Sequence, residues 1–475
     1  MKHEVWLMLG SLALLFAMLG YWRPVLMFYI AAFVAPWQDL MVDVGLRLTL
    51  YTLAMVGFIV AMLRHGWGRW RSVLSARVWW PLAALLSWAV VWSLSQVPTA
   101  ANVQISGGVL RSPAIRPLVQ AASFALMVFP VIVAPFVLSR REQLARMAAA
   151  YLGSMLILLL IGWWQFIVAN TSGYNPLPMG AVNAWFGGIG GVERDAIDLG
   201  QGGRVMYRMS SLGGEPRWLA QSIGTVLLLL QIGWMAGRLR VSFLSVLLYG
   251  FFFASLVATQ AMSGLYLWIL GASVLLVYHV LHRQPRRDAM ARIQKWFIAS
   301  ALVLAGVLGW LLSQPSVHDD KILGFVAYWL QRIASRGFIA DFDVVVLDFL
   351  KAEPLRALFG VGLGNVHFYA DAYLSPYFRE FAGGTSFVAD SGWLRLTSEL
   401  GLVGLGLFLW WCKAIWTSME TLHEDPAWSN SAAVLRSVFL IAVIGYLARG
   451  TTYSPIAFML LAVCMVPVIS AANRP

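Results

Sequence analysis

Runs of apolar residues, separated by short polar or glycine-rich stretches, recur along the whole chain. A helix needs about 20 mainly apolar residues to cross the hydrocarbon core of a bilayer. The first two runs are short and meet at Arg23-Pro24, where they form either two thin spans or one broken span. The pattern therefore predicts about 12 or 13 spans. They fall at 5–22, 24–36, 44–63, 78–97, 117–138, 147–168, 218–236, 242–259, 264–282, 296–313, 393–416, 433–448 and 456–471.

The composition points to the same class of protein. Of the 475 residues, 60% are hydrophobic and only 12% are charged, whereas soluble domains average roughly 45–50% and 25%. These values exclude a water-soluble enzyme, a coiled coil and a disordered chain. Cys412 and Cys464 both lie in apolar runs, so we expect no disulfide framework and no cysteine-based metal site. We predict an all-α polytopic membrane protein in which residues 1–475 form a single integral membrane domain and the first run is a retained anchor.

Arginine and lysine are concentrated in short connectors between the apolar runs, and this sets the predicted orientation. Connectors rich in basic residues lie in the cytoplasm. The long connectors 169–217 and 314–392 are much poorer in basic residues, so we expect both outside and the C-terminus inside. The net charge of +12 then reflects topology and does not indicate a nucleic-acid partner. The basic connectors are 64–77, 139–146, 237–240 and 283–295.

The two long connectors are the expected location of any site, since long loops without structure are uncommon unless they are functional. In 314–392, two stretches carry apolar residues at helical spacing, which predicts amphipathic helices on the membrane surface or capping the bundle. Gly360–Asn365 predicts a flexible turn, because no βαβ unit surrounds it as a dinucleotide-binding loop would require. The apolar residues are Ile322, Phe325, Val326, Trp329, Leu330 and Ile333, then Phe342, Val345, Val346, Phe349 and Leu350, with Asp341 and Asp348 opposite.

The connector 169–217 ends in a cluster of charge immediately before a span. Arg204, Arg208 and Arg217 accompany Glu215 there. Arginine stays charged at any relevant pH and offers five donors, so such a cluster is suited to phosphate oxygens. The alternative is that these side chains extend to lipid headgroups, although the predicted topology disfavours basic residues on the outer face.

Four ionisable residues fall within predicted spans: Arg47, Arg395, Glu399 and Arg436. Such residues are costly in a bilayer and usually face the interior of the helix bundle. Arg395 and Glu399 are four residues apart, so one helical face can pair them. Both a neutralising pair near the interface and a role in binding substrate fit this spacing.

Two blocks of sequence resemble a known superfamily. Pro354–Asn365 reads PLRALFGVGLGN, and Ala389–Gly404 reads ADSGWLRLTSELGLVG. Together with the Arg208…Ser211…Glu215-Pro216 block before a span, they resemble the O-antigen ligase and Wzy-type polysaccharide polymerase superfamily. The predicted number of spans and the large external loop late in the chain are similar as well.

This resemblance implies a glycosyltransferase of the bacterial inner membrane with its active site facing the periplasm. Such enzymes transfer glycan from undecaprenyl pyrophosphate, held in membrane lipid, to an acceptor without a metal or cofactor, and a chain-length regulator is an expected partner. Cations stabilise the leaving group, and a base takes the proton of the acceptor hydroxyl. The resemblance implies pyrophosphate contacts from Arg204, Arg208 and Arg217, a base or orienting group in Asp390, and further candidates in Glu215, His367, Arg332, Arg336 and Arg395.

The chain departs from the family pattern at two places. Ligases carry a histidine where this chain has Asp390, which favours a polymerase of an exopolysaccharide or O-antigen pathway. The family usually shows Ser-Arg or Ser-Lys where this chain has Ser263-Gly264, so Arg332 or Arg336 is the expected replacement. His367 is either a relocated base or a packing residue. The alternatives to a polymerase are an O-antigen ligase and a transporter or flippase of the same lipid.

Overall fold

The computed structural model describes residues 3–38, 41–43, 47–66, 76–100, 115–177, 196–198, 205–213, 215–240, 242–281, 341–375, 389–449 and 455–472. This part of the chain is nearly all helical. The helices are α1 (His3–Trp22), α2 (Pro24–Val34), α3 (Leu50–Ala61, followed by a π-helical turn, Met62–Gly66), α4 (Trp79–Ser95), α5 (Val97–Ala100), α6 (Arg116–Val137), α7 (Arg141–Ser172), α8 (Pro216–Met235), α9 (Phe243–Ala258), α10 (Met262–Leu281), α11 (Asp341–Ala352), α12 (Pro354–Phe359), α13 (Val366–Ala370), α14 (Gly392–Glu420), α15 (Ala432–Arg449) and α16 (Pro455–Ala472).

Six of the described helices are long and apolar enough to cross a membrane by length and composition: α6, α7, α8, α10, α14 and α15. Another six, α1, α2, α3, α4, α9 and α16, are apolar over shorter stretches. Every predicted span except 296–313 coincides with one of these helices. That segment, like the predicted amphipathic stretch Ile322–Ile333, lies outside the described residues. The helical character predicted from hydrophobicity is therefore confirmed and is compatible with a polytopic membrane protein, whereas the total of 12 or 13 spans stays a prediction.

The helix at the predicted span 44–63 begins later in the structure than the apolar pattern indicated. Residues Met41–Asp43 (β1) and Arg47–Thr49 (β2) pair as an antiparallel hairpin, with Asp43 opposite Arg47. The helix α3 starts only at Leu50, because Thr49 and Thr52 cap it reciprocally: each side-chain oxygen accepts from the backbone N–H of the other. The prediction that Arg47 lies within a spanning helix is wrong, because α3 begins at Leu50, after the capping box, and Arg47 belongs to β2.

The connector predicted at 139–146 is also shorter than expected. The helix α7 begins at Arg141, so Arg141 and Arg146 belong to its first turns. The backbone N–H groups of Ser139 and Arg140 both donate to the side-chain oxygen of Gln143, at 2.8 and 3.0 Å. This side-chain acceptor starts the helix earlier than hydrophobicity alone indicated.

The described residues group into two compact units. The described residues of the first unit fall within Met1–Ile157 and Ala340–Pro475. In it α1 packs on α3, α6 on α16, and α4 on α14. The helices α11 to α13 share a buried apolar cluster with the start of α14. The second amphipathic stretch is thus the helix α11, with Val345, Val346, Phe349 and Leu350 buried as predicted and Asp348 exposed.

The second unit comprises Leu158–Pro178 and Val192–Ile339. In it α8 packs against both α9 and α10. A short hairpin joins Ala196–Asp198 (β3) to Val205–Tyr207 (β4). The side chain of Asn170 binds both backbone groups of Tyr207 in this hairpin. Its Nδ2 donates to the carbonyl of Tyr207 and its Oδ1 accepts from the Tyr207 N–H, both at 3.0 Å.

Candidate functional site

The helix α14 is interrupted within the block Ala389–Gly404. Gly401 has φ +75° and ψ 177°, which is not helical. An unbroken helix would pair the carbonyls of residues 398 to 400 with the N–H groups four residues later. Other groups bind them here: Val361 N–H donates to Ser398, Gly362 N–H to Glu399, and the Trp88 indole to Leu400, at 2.8–2.9 Å.

The turn predicted at Gly360–Asn365, called the glycine loop below, is present but buried. Its first residue, Gly360, has φ +82° and ψ −177°, and it lies against the break at Gly401. A Cβ on Gly360 would lie 2.6 Å from the nitrogen of Gly401, and one on Gly401 would overlap the carbonyl of Leu358. The glycines therefore allow two backbones to approach to a distance that no side chain permits.

A buried ion pair lies just before the break. Arg395 Nε is 3.3 Å from Glu399 Oε1, and the two side chains are 6% and 1% exposed. The same carboxylate oxygen accepts the N–H of Gly364 at 3.2 Å, which joins the pair to the glycine loop. The pairing predicted from the spacing of four residues is confirmed. Because the charges neutralise each other in the interior, the geometry favours a positioning role for this pair.

Asp390 lies at the turn that leads into α14. Its backbone N–H and that of Ser391 both donate to Asp343 Oδ1, at 2.7 and 3.1 Å. Asp343 is only 4% exposed, whereas Asp390 is partly exposed. A buried carboxylate thus fixes the backbone of the proposed base. Sequence reasoning missed Asp343, and the available signal was an acid on the apolar face of α11, three residues before Val346.

His367 follows the glycine loop, and Arg116 at the start of α6 lies near it. The Arg116 guanidinium carbon is 5.7 Å from the ring centre of Phe368. Burial, and then the positive charge of Arg116, lower the pKa of His367 from 6.5 to about 3. The imidazole is therefore neutral at physiological pH. Arg116 was not among the predicted site residues, although it lies directly before the predicted span 117–138.

This pKa has a measurable consequence for stability. The unfolded protein takes up a proton on His367 near pH 6.5 and the folded protein only near pH 3, so His367 makes the folded state less stable as the pH falls through this range. We expect the thermal denaturation midpoint, Tm, of wild-type protein to drop more between pH 7.5 and 5 than that of His367→Gln. Equal drops in Tm for the two proteins, measured by scanning fluorimetry, would contradict the lowered pKa of His367.

In the second unit, three helix ends meet near the arginine segment, residues 208–217. The helix α9 ends at Ala258, and α8 and α10 begin at Pro216 and Met262. Arg208 donates from Nε to the carbonyl of Thr259 at 3.3 Å and from Nη2 to that of Gln260 at 3.5 Å. A guanidinium at the C-terminal end of α9 is favoured by the helix dipole. At least two of the five Arg208 donors are therefore used within the fold.

Glu215 and Arg217 stand at the start of α8. Arg217 Nε is 2.5 Å from Glu215 Oε2, and the two side chains are 36% and 37% exposed. The carbonyl of Arg217 accepts the hydroxyl of Ser263 at 3.2 Å. The structure therefore connects Arg208, Glu215 and Arg217 to one turn, Thr259–Ser263, at a single end of this unit.

Two strained residues lie at the same end. Among the described residues, Ser211 (φ +54°) and Gln260 (φ +52°) are the non-glycine residues with positive φ. Such conformations cost about 1–3 kcal/mol each and cluster at functional sites. The N–H of Met209 donates to the carbonyl of Ala258 at 3.1 Å, which ties the two strained segments together. Ser211 is held by Gln165, whose side-chain oxygen accepts its N–H at 2.7 Å.

The remaining predicted site residues have different outcomes. Arg204, Arg332 and Arg336 lie outside the described residues. Arg436 is buried within α15, but its Nη2 donates to the carbonyl of Met419 at 3.2 Å, near the end of α14. Arg208, Glu215 and Arg217 belong to the second unit, and Asp390, His367 and Arg395 to the first. Within the described part of the chain, no group of three or more His, Cys, Asp or Glu side chains is placed to hold a metal ion.

No family model matches the chain, and no curated protein sequence matches it either.

Proposed function

We propose that this protein is a multi-pass membrane glycosyltransferase that polymerises lipid-linked oligosaccharide repeat units. The donor would be glycan on undecaprenyl pyrophosphate, and the acceptor a sugar hydroxyl on the periplasmic side of a bacterial inner membrane. The product would be an exopolysaccharide or O-antigen. Support comes from the two sequence blocks described above and from the arrangement of arginines at the end of an apolar helix unit.

The observation that carries the proposal is the position of Arg208 and Arg217. Arg217 lies in the first turn of the span-length helix α8, and Arg208 lies at the end of α9; both contact residues 259–263. A helix N-terminus attracts anions, and guanidinium groups stabilise the charge that develops on a departing pyrophosphate. Arginines at the end of apolar helices suit a donor with a charged head and a tail in the bilayer. Glu215 keeps the Arg217 side chain in place.

Asp390 is the proposed base. Its backbone is fixed by the buried Asp343, and its side chain is partly exposed, so a carboxylate is presented from a rigid turn. His367 is less suited to this task, because a pKa of about 3 makes the imidazole a weak base. An aspartate where ligases of the superfamily have histidine favours transfer to a growing glycan. Transfer to lipid A core or another acceptor, as by a ligase, is the alternative within this class.

A transporter of the same lipid is a second candidate, because α14 is broken at Gly401. Transporters use broken helices whose free carbonyls bind substrate or ions. The three carbonyls before this break already accept hydrogen bonds from Val361, Gly362 and Trp88. The break is thus occupied by the protein's own groups, and this favours the enzyme over the transporter.

Reconstitution separates these functions. Purified protein in proteoliposomes would receive undecaprenyl-pyrophosphate-linked repeat units extracted from the source bacterium, and products would be resolved on gels. A polymerase gives a ladder of lengthening lipid-linked glycan. A ligase gives one transfer to a distinct acceptor, and a transporter moves labelled lipid between leaflets without elongating it.

Substitutions then test the assigned roles. We expect Asp390→Asn to lower the rate of elongation about a hundredfold, the lower range for loss of a general base. Asp348→Asn is a matched control, since Asp348 is an exposed acid that pairs only with the exposed Lys351 among the contacts described. Elongation at the wild-type rate by correctly folded Asp390→Asn would overturn the assignment of the base.

A further inference from the structure

Gln260 has an unusual environment beside the arginine segment. Gln260 is 4% exposed, and neither Nε2 nor Oε1 of its side-chain amide has a hydrogen-bond partner among the described residues. Its backbone is left-handed, and its carbonyl accepts a hydrogen bond from Arg208 Nη2 at 3.5 Å. A buried amide without partners and a strained backbone thus coincide at one residue, in contact with a proposed pyrophosphate-binding side chain.

Neither property helps the protein to fold. Buried polar side chains in native structures are nearly always hydrogen-bonded, and a left-handed backbone suits glycine far better than glutamine. A methionine would fill similar space without an unpaired amide, and a glycine would remove the strain. Features that disfavour folding in two independent ways are typical of residues retained for binding.

The chemistry of the amide indicates what it would bind. A glutamine side chain offers two donors and two acceptor lone pairs. A phosphate at physiological pH offers mainly acceptors, so it would leave Oε1 without a donor. A sugar hydroxyl both donates and accepts, and it can satisfy Oε1 and Nε2 together with its neighbour on the ring. The guanidinium of Arg208 provides for the phosphate next to that sugar.

We infer that Gln260 binds ring hydroxyls of the sugar attached directly to the pyrophosphate, while Arg208 binds the pyrophosphate itself. This inference rests on the proposed function and extends it, because it assigns recognition of the glycan end of the donor to a particular side chain. Gln260 would then set specificity between glycan-bearing lipid and the bare lipid pyrophosphate that remains after transfer.

Two probes test this inference in lipid nanodiscs with the full chain. One is undecaprenyl-pyrophosphate-linked repeat unit extracted from the source bacterium, and the other is undecaprenyl pyrophosphate without glycan. We expect Gln260→Met and Gln260→Gly to raise the Kd for the glycan-bearing lipid about tenfold and to leave the Kd for the bare lipid unchanged. Arg208→Gln should raise the Kd for both lipids.

A matched control comes from the same unit. Gln231 is a half-buried glutamine of α8 whose Nε2 donates to the Tyr249 hydroxyl at 2.8 Å. Gln231→Met should lower Tm, because it breaks a hydrogen bond, and should leave binding of both lipids unchanged. Gln260→Met and Gln260→Gly should instead raise Tm, because they remove an unpaired amide or backbone strain. A rise in Tm together with weaker glycan binding is a result that a purely structural Gln260 would not give.

The outcomes separate the two proposals. If wild-type protein binds neither lipid, the proposed function fails and the inference falls with it. If wild-type protein binds the glycan-bearing lipid and both Gln260 variants bind it equally well, the inference is overturned and the proposed function stands. If the variants bind both lipids more weakly by the same factor, Gln260 contacts phosphate rather than sugar, and the inference is again wrong.

Discussion

Replacing Gly401 with alanine should reduce the free energy of unfolding by about 3–5 kcal/mol, so that little folded protein is recovered. The backbone at Gly401, φ +75° and ψ 177°, lies in a region that is essentially restricted to glycine. A Cβ there would also overlap the carbonyl of Leu358. Neither backbone can retreat, because the hydrogen bonds from Val361 and Gly362 hold the glycine loop to the end of the first helical segment.

Gly406 gives a matched control on the same helix. It lies in the segment after the break and is exposed, and a Cβ there would meet no atom within 4 Å. Gly406→Ala should leave stability unchanged or raise it by about 0.5–1 kcal/mol, since alanine is the better helix former. Size-exclusion chromatography of detergent-solubilised protein and Tm would measure both effects. If Gly401→Ala is recovered as stable as Gly406→Ala, the break in α14 is not required for folding.

The second large effect should come from Glu399. Glu399→Gln leaves the charge of Arg395 buried without its carboxylate, and breaking a buried ion pair in this way costs about 3–5 kcal/mol. It also weakens the acceptor for the N–H of Gly364, so the glycine loop should loosen together with the ion pair. We expect a lower Tm and faster proteolysis near the loop.

A double variant distinguishes the lost charge partner from lost packing. Arg395→Met together with Glu399→Gln removes both charges and leaves similar volume, so it should be more stable than Glu399→Gln alone. The coupling energy from the complete mutant cycle is the decisive measurement. Additive effects of the two substitutions would show that the contact between Arg395 and Glu399 contributes nothing of its own.

These two predictions concern the blocks Pro354–Asn365 and Ala389–Gly404 and depend on the contacts between them. The glycines of the glycine loop allow it to approach the break and bind the carbonyls that Gly401 leaves without helical partners. The charged residues Arg395 and Glu399 join the two parts in the interior. These contacts hold the glycine loop, which precedes His367, against the first segment of α14, while Asp343 fixes the turn at Asp390.

Local patterns predicted much of the fold. The apolar runs located every described apolar helix, and the spacing of Val345, Val346, Phe349 and Leu350 gave the buried face of α11. The interval of four residues gave the Arg395–Glu399 pair. These predictions succeeded because each depends on residues close in sequence, whose relative positions a helix determines.

Other features depended on contacts between distant segments and escaped prediction. The start of α3 after Arg47 was missed because hydrophobicity extends past the capping box at Thr49. Within ADSGWLRLTSELGLVG nothing distinguishes Gly401 from the glycines that remain helical. Asp343 shows in the sequence only as an acid on an apolar helix face, and Gln260 as an ordinary polar residue. Only the structure shows that Asp343 holds the turn at Asp390 and that the side-chain amide of Gln260 is buried without a hydrogen-bond partner among the described residues.

The sequence by itself determined the class of protein, the positions of its apolar helices and the residues able to carry charge, because each follows from composition and short-range periodicity. The tertiary structure alone decided where α14 breaks, which polar groups are buried and which partners they find in distant segments. Those outcomes depend on segments hundreds of residues apart, such as Trp88 and Leu400. The physical reason is that burial and hydrogen-bond satisfaction are properties of the packed chain. A local sequence pattern does not specify a hydrogen-bond partner that lies in a distant segment.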